Sequence, residues 1–213
     1  KSEVNVMNKI FLYLYPIKEF ANVFFLGNEY YDANNFKRPF DVLNEAIEKR
    51  YRDKGYQVVY ILYPDKEIFG ITPKKDDKVI FTDITFNEAT RSTGLNTGEE
   101  VKYPNEQLII NQLGEVEELF IGGYHAQDCV KRIGEKALQN GINTLIDLDL
   151  TDLFFSLYRH EEYFNVEKYD PERFRAFMIK KSSRYGEAFA IDLFNRNYQS
   201  SVYGFNDCQH RVR

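Results

Sequence analysis

Cys129 stands six residues after the pair Gly122-Gly123, in "IGGYHAQDCVKRIGEKALQNGINTLIDLDLTD" (121–152). Two glycines at the end of an apolar run let the backbone turn sharply. A helix that starts behind them offers free N–H groups to an anion or a thiolate. A thiol in the first turn of such a helix has its pKa lowered and its nucleophilic form favoured. The competing reading is packing, because free cysteine is among the most buried residue types and Cys129 shares a helical face with Ile133. In the chemical reading Cys129 is a nucleophile presented at the start of that helix.

Two other clusters invite chemistry. Asp147 and Asp149, followed by Thr151, match the first motif of haloacid-dehalogenase-type phosphatases, in which the first Asp is the nucleophile, the second an acid/base, and magnesium bridges them. That motif ordinarily opens its fold, whereas about 60 largely helical residues follow it here; helix capping by Asp149 or Thr151 is the plainer reading. Arg173, Arg175, Lys180, Lys181 and Arg184 form a basic run suited to a phosphate or an acidic partner, or simply to a solvated helix face. His125, His160 and His210 lack metal-ligand spacing with either cysteine, so neither a metal nor a cofactor is expected.

The elements that must position these residues are legible as short apolar runs at 9–15, 56–63, 78–83, 118–123 and 143–149. They are nearly continuous in apolar character, as strands covered on both faces are. Helical patterns separate them. Phe40, Leu43, Ile47 and Tyr51 recur between Pro39 and Gly55, a shorter helix spans Pro104 to Gly114, and Val130, Ile133, Ala137 and Leu138 share a face that stops at Gly141. Alternation of strand and helix implies right-handed crossovers, hence a three-layer Rossmann-like α/β fold with a mostly parallel sheet. The run at 118–123 is expected beside 9–15, because the connection between them reverses the winding and opens a crevice. Residues 84–103, aperiodic and rich in Thr, Asn and Gly, are expected to form a loop over that edge. The α/β domain is assigned to 8–160. A C-terminal helical extension, 161–213, carries the apolar stripe Phe174, Met178, Tyr185 and Phe189.

Register within 118–150 resembles the segment that carries the nucleophilic cysteine of isochorismatase-like cysteine hydrolases. Val130 follows Cys129, with Ala137, Gly141 and Asp149 eight, twelve and twenty residues on. "YPIKEF" (15–20) falls where that family has an Asp-containing turn ending in Phe, and Phe20 keeps the register. The resemblance implies an α/β fold and a cysteine nucleophile, served by an Asp after the first strand and a Lys after the third. The Asp position falls on Tyr15 and the Lys position near Thr82 or Asp83. An ordinary Tyr is a proton donor rather than a base, and Thr carries no charge. Glu19, Asp83, His125 and Lys78 are the candidate replacements. In the enzyme that the resemblance implies, Cys129 attacks an amide or related carbon, Asp83, Glu19 or His125 handles the proton, N–H groups beginning near His125 hold the oxyanion, and Tyr15, Gly122, Gly123 and Tyr124 line the ligand site.

Composition sets the outer limits. With 213 residues, 43% hydrophobic content, 16 Tyr, 18 Phe and no Trp, the chain can bury a large, ring-rich core. A net charge of −5 argues against a dedicated nucleic-acid binder. Cys129 and Cys208 alone are too few for a disulfide scaffold and fit a reducing compartment. No apolar run reaches membrane-spanning length, and no charged-then-apolar leader opens the chain, so no membrane association and a cytoplasmic location are expected. Two functions follow: a divergent, non-catalytic module binding a small anionic ligand or a partner protein, compatible with a homo-oligomer, or a cysteine hydrolase acting on a C–N bond.

Overall fold

The structure is a computed structural model that describes residues 8–25, 37–91, 102–152, 163–182, 186–198 and 200–205. Five parallel strands form one sheet in the order β3-β2-β1-β4-β5: β1 (Asn8–Leu14), β2 (Gln57–Leu62), β3 (Lys78–Phe81), β4 (Val116–Gly123) and β5 (Asn143–Thr151). All five lie on the apolar runs expected of them. β4 pairs with β1 in register Ile10↔Leu119, Leu12↔Ile121 and Leu14↔Gly123, so the winding reverses between them as the sequence implies.

Alternation along the strands divides the core. Ile10, Leu12 and Leu14 face one way and pack with Val59, Ile61, Ile109 of α4 (Glu106–Leu113) and Val130, Ile133 and Ala137 of α5 (Cys129–Gln139). Phe11 and Tyr13 face the other way, against Leu43, Ala46 and Ile47 of α2 (Lys37–Arg50). Helices on both faces explain why the strands read as unbroken apolar runs. α1 (Lys18–Phe25) follows β1, and α3 (Phe86–Arg91) occupies part of the stretch read as a loop; 92–101 lie outside the described residues. Thr85 explains the unexpected helix: its side chain and backbone N–H both bond the Glu88 carboxylate, closing a capping box that the aperiodic apolar pattern conceals.

Downstream of β5, α6 (Pro171–Ser182) and α7 (Glu187–Tyr198) place Phe174, Phe177, Phe194 and Tyr198 in the cluster that holds Ile10 and Val130. Met178 is half-buried against it; Tyr185 and the side chain of Phe189 lie outside the described residues. No helix among the described residues is long and apolar enough to cross a membrane.

Candidate functional site

Cys129 begins α5 at the carboxyl edge of the sheet, beside the turn that follows β1. Tyr15 occupies that turn with φ 53°, a left-handed conformation unusual for a bulky residue. Its N–H donates to the Ile61 carbonyl at 2.9 Å, and its ring is buried, stacked on Tyr63 at 4.6 Å and edge-on to Phe20 at 6.2 Å. Only about 10 Å³ of open space remains in the crevice, which is lined by Tyr15, Tyr103, Pro104, Glu106, Cys129 and Arg132. That volume admits at most one water molecule.

The thiol is free and half-buried, and the carboxylates that act on it among the described residues, Asp128 and Glu106, raise its pKa. Burial is the largest influence and the neighbouring Asp128 carboxylate adds to it, so Cys129 is pushed up to about 12 despite the attraction of Arg132. This reverses the lowering expected from the helix start: desolvation outweighs the dipole, and Asp128 makes no side-chain cap hydrogen bond. Three of the N–H groups near the helix start are already engaged within the chain. Those of Asp128 and Val130 both donate to the His125 carbonyl at 3.1 Å, and that of Ala126 donates to Asp152 Oδ1 at 2.9 Å.

The remaining sequence candidates are dispersed. Asp83 is exposed and accepts the Asn105 N–H at 2.8 Å, fixing the backbone beside Tyr103 and Pro104 rather than lining the crevice. His125 lies 3.5 Å from Asp152 through Nδ1, with its ring 4.7 Å from that of Phe20. Glu19 is paired with Lys66 at 2.5 Å. Lys78 opens β3, at the opposite edge of the sheet from Cys129. Tyr124 is buried in the α2-side cluster, edge-on to Tyr13; the Tyr124–His125 peptide bond is cis.

Gly122 and Gly123 serve close backbone approach. A Cβ on Gly123, at φ 102°, would lie 2.2 Å from the Leu14 carbonyl oxygen, and one on Gly122 would lie 2.9 Å from that of Leu150. Asp147 and Asp149 are buried in an ion cluster. Arg50 Nη1 donates to both Asp147 oxygens at 3.0 and 2.9 Å, Nη2 donates to Asp149 at 3.0 Å, and Tyr51 donates to Asp147 at 2.5 Å. These carboxylates hold a guanidinium rather than a magnesium ion, which removes the basis of the phosphatase reading. Among the described residues no group of three or more His, Cys, Asp or Glu is placed to hold a metal. Of the basic run, Lys180 meets Tyr163; Lys181 (its side chain) and Arg184 lie outside the described residues, as does Cys208.

Sequence reasoning missed Tyr63, Tyr103, Glu106 and Arg132 at the crevice. Arg132, three residues after Cys129 on α5, was open to discovery by helical spacing; its Nε donates to Glu106 at 2.6 Å across to α4. Tyr63 and Tyr103 carry no local signal, since only the fold brings them to the thiol.

No family model and no curated protein matches the chain. Among solved structures it is similar to pyrazinamidase of Pyrococcus horikoshii in complex with zinc, at 14% identity over 73% of this chain and 95% of that one, TM-score 0.43. It is also similar to an isochorismatase-like hydrolase of Alkaliphilus metalliredigens, at 12% identity over 73% and 90%, TM-score 0.41. A MAR1 ribonuclease of Caenorhabditis elegans has 13% identity over 94% of both chains, TM-score 0.41. These likenesses concern the fold, and the residue roles below come from this chain alone.

Proposed function

We propose that this chain is a divergent, non-catalytic α/β binding module in which the carboxyl-edge crevice has become packing, and which recognises a small anionic ligand or a partner protein elsewhere on its surface. The filled crevice carries this reading. Tyr15 stands where the resembled family has its acid, and stacking on Tyr63 leaves about 10 Å³ beside Cys129, too little for an acyl substrate. A neutral thiol and N–H groups already bonded to His125 and Asp152 support it further.

The test is turnover of amide and ester substrate panels by the wild type and by Cys129→Ala. Both proteins are expected to give the same background rate. Turnover by the wild type that is lost in Cys129→Ala would establish the cysteine-hydrolase alternative.

A further inference from the structure

Arg50, the last residue of α2, ties three parts of the fold together. Its Nη1 donates to both Asp147 oxygens and its Nη2 to Asp149, both residues of β5. The same guanidinium holds the segment 163–170 that leads into α6. Nε donates to the Asn165 carbonyl at 3.1 Å, Nη2 donates to that carbonyl as well, and the Phe164 ring centre lies 4.9 Å from the guanidinium carbon. Lys54 adds a bond to the Glu167 carbonyl at 2.6 Å, and Phe164 and Val166 pack half-buried on the cluster of Phe11, Leu43 and Ile47. The segment is thus strapped across the α2 side of the sheet by a side chain that two carboxylates share.

Charge decides when the strap holds. The side chains of Arg50, Asp147 and Asp149 are 1%, 0% and 9% exposed, so water does little to balance them. One guanidinium neutralises one carboxylate, and a second carboxylate in the same buried site ionises only at a cost. Asp149 faces Asp147 on its own strand, Arg50 on α2, Tyr169 on the strap and Arg173 on α6, while Tyr51 donates to Asp147 at 2.5 Å. Burial and Asp147 oppose its charge and the two arginines favour it; the first pair prevails, so its proton is held above the ordinary carboxylate range. Nη2 is the contested donor. It is divided between Asp149 and the Asn165 carbonyl, so ionising Asp149 draws it from the strap to the carboxylate, and water entering to solvate the added charge loosens the same bonds.

We propose that Arg50, Asp147 and Asp149 form a proton-operated latch: with Asp149 protonated the guanidinium clamps segment 163–170 on the α2 side of the sheet, and with Asp149 ionised the segment detaches. The closed form keeps a proton that the open form gives up, so closure is complete in acid and weakens as pH rises. Each pH unit between the ordinary carboxylate value and that of the closed latch favours opening by up to about tenfold, and above that interval the dependence levels off. The latch operates whether or not Cys129 does chemistry.

The experiment is NMR on the full chain from mildly acidic to mildly alkaline pH. The carboxyl carbon shift of Asp149 reports its ionisation. Solvent exchange of the Arg50 Nε–H and of the Glu167 amide, which donates to Asn165 Oδ1 at 2.9 Å, reports the strap once corrected for intrinsic pH dependence. The Ile133 amide of α5 sets the scale of global unfolding. Protection of Arg50 and Glu167 should fall by up to about tenfold per pH unit until Asp149 is ionised, with both exchanging faster than Ile133 throughout. Asp149→Asn, isosteric and unable to ionise, should remove this dependence. Val166→Ala, which weakens the strap without touching the charges, should lower protection by the same factor at every pH and keep the slope. The proposal is overturned if Asp149 ionises in the ordinary carboxylate range, if its ionisation leaves Arg50 and Glu167 as protected as before, if Asp149→Asn retains the dependence, or if the two strap protons exchange only as slowly as Ile133.

Discussion

Replacing Tyr15 separates the energy of plugging the crevice from the strain of the turn that holds the plug. The ring is buried, stacked on Tyr63 and edge-on to Phe20, so Tyr15→Ala should cost about 3–5 kcal/mol, as removal of other buried aromatics does. The backbone points the other way. At φ 53° a residue with a Cβ bears roughly 1–2 kcal/mol of strain that glycine does not, while glycine loses about 0.4–1 kcal/mol through the freedom of the unfolded chain. Tyr15→Gly should therefore be at least as stable as Tyr15→Ala, by up to about 1 kcal/mol, although it buries less. Urea unfolding at constant m-value measures both. Iodoacetamide labelling below the transition should accelerate in both variants as Cys129 is uncovered. A cost below about 1 kcal/mol for Tyr15→Ala with labelling unchanged would refute the claim that this ring seals the thiol.

Burial, reinforced by the Asp147 charge and opposed by Arg50, raises Asp149 above the ordinary carboxylate range. The folded protein thus keeps a proton that the unfolded chain gives up near pH ~4, so this contribution to stability is complete below that pH and is lost as pH rises through the raised folded value. Asp149→Asn should flatten that fall in urea midpoints measured between mildly acidic and mildly alkaline pH; a midpoint that climbs over this range in the wild type and not in the variant would contradict the assignment. Arg50→Ala leaves two buried carboxylates without their cation and should cost about 3–5 kcal/mol in the same assay; a loss within ~0.5 kcal/mol would mean that the cluster is solvated. Gly123→Ala, which would drive a Cβ to 2.2 Å from the Leu14 carbonyl oxygen, should lower the thermal midpoint sharply or prevent folding, and near-native melting would show that β1 and β4 can separate there.

The sheet was readable because β1, β2, β4 and β5 are covered on both faces for most of their length, while the edge strand β3 leaves Val79 and Phe81 exposed. Runs such as "KIFLYLY" need no partner to be recognised, and the reversal between 9–15 and 118–123 follows from connection rules. The crevice was half-readable. Cys129 was found through its spacing from Gly123 and Tyr15 through the resemblance of 15–20 to a family turn, but whether Tyr15 opens or fills the space depends on Tyr63 and Tyr103, which reach it through different loops. The direction of the thiol shift failed for the same reason: a helix start is a local feature visible in sequence, whereas desolvation is set by everything packed above it. Arg50 and Asp147 are 97 residues apart, and Arg50 read as an ordinary polar helix end. A buried ion cluster built over that separation has no periodicity to betray it, so the two aspartates invited a metal reading that only their partners could correct.

The ionisation of Cys129 in the folded protein tests the central claim most directly. Iodoacetamide labelling of the Cys129 peptide, followed by mass spectrometry in native and urea-unfolded protein across a pH series, reports the thiolate fraction. A thiol pushed up to about 12 from an ordinary value near 9 carries about a thousandth of the thiolate near neutral pH. The native chain should accordingly label at least about a hundredfold more slowly than the unfolded one, with a rate that still climbs well into the alkaline range. Native labelling near neutral pH that equals or exceeds that of the unfolded chain would mean an exposed, activated thiol, and the crevice would have to be reassigned as an active site.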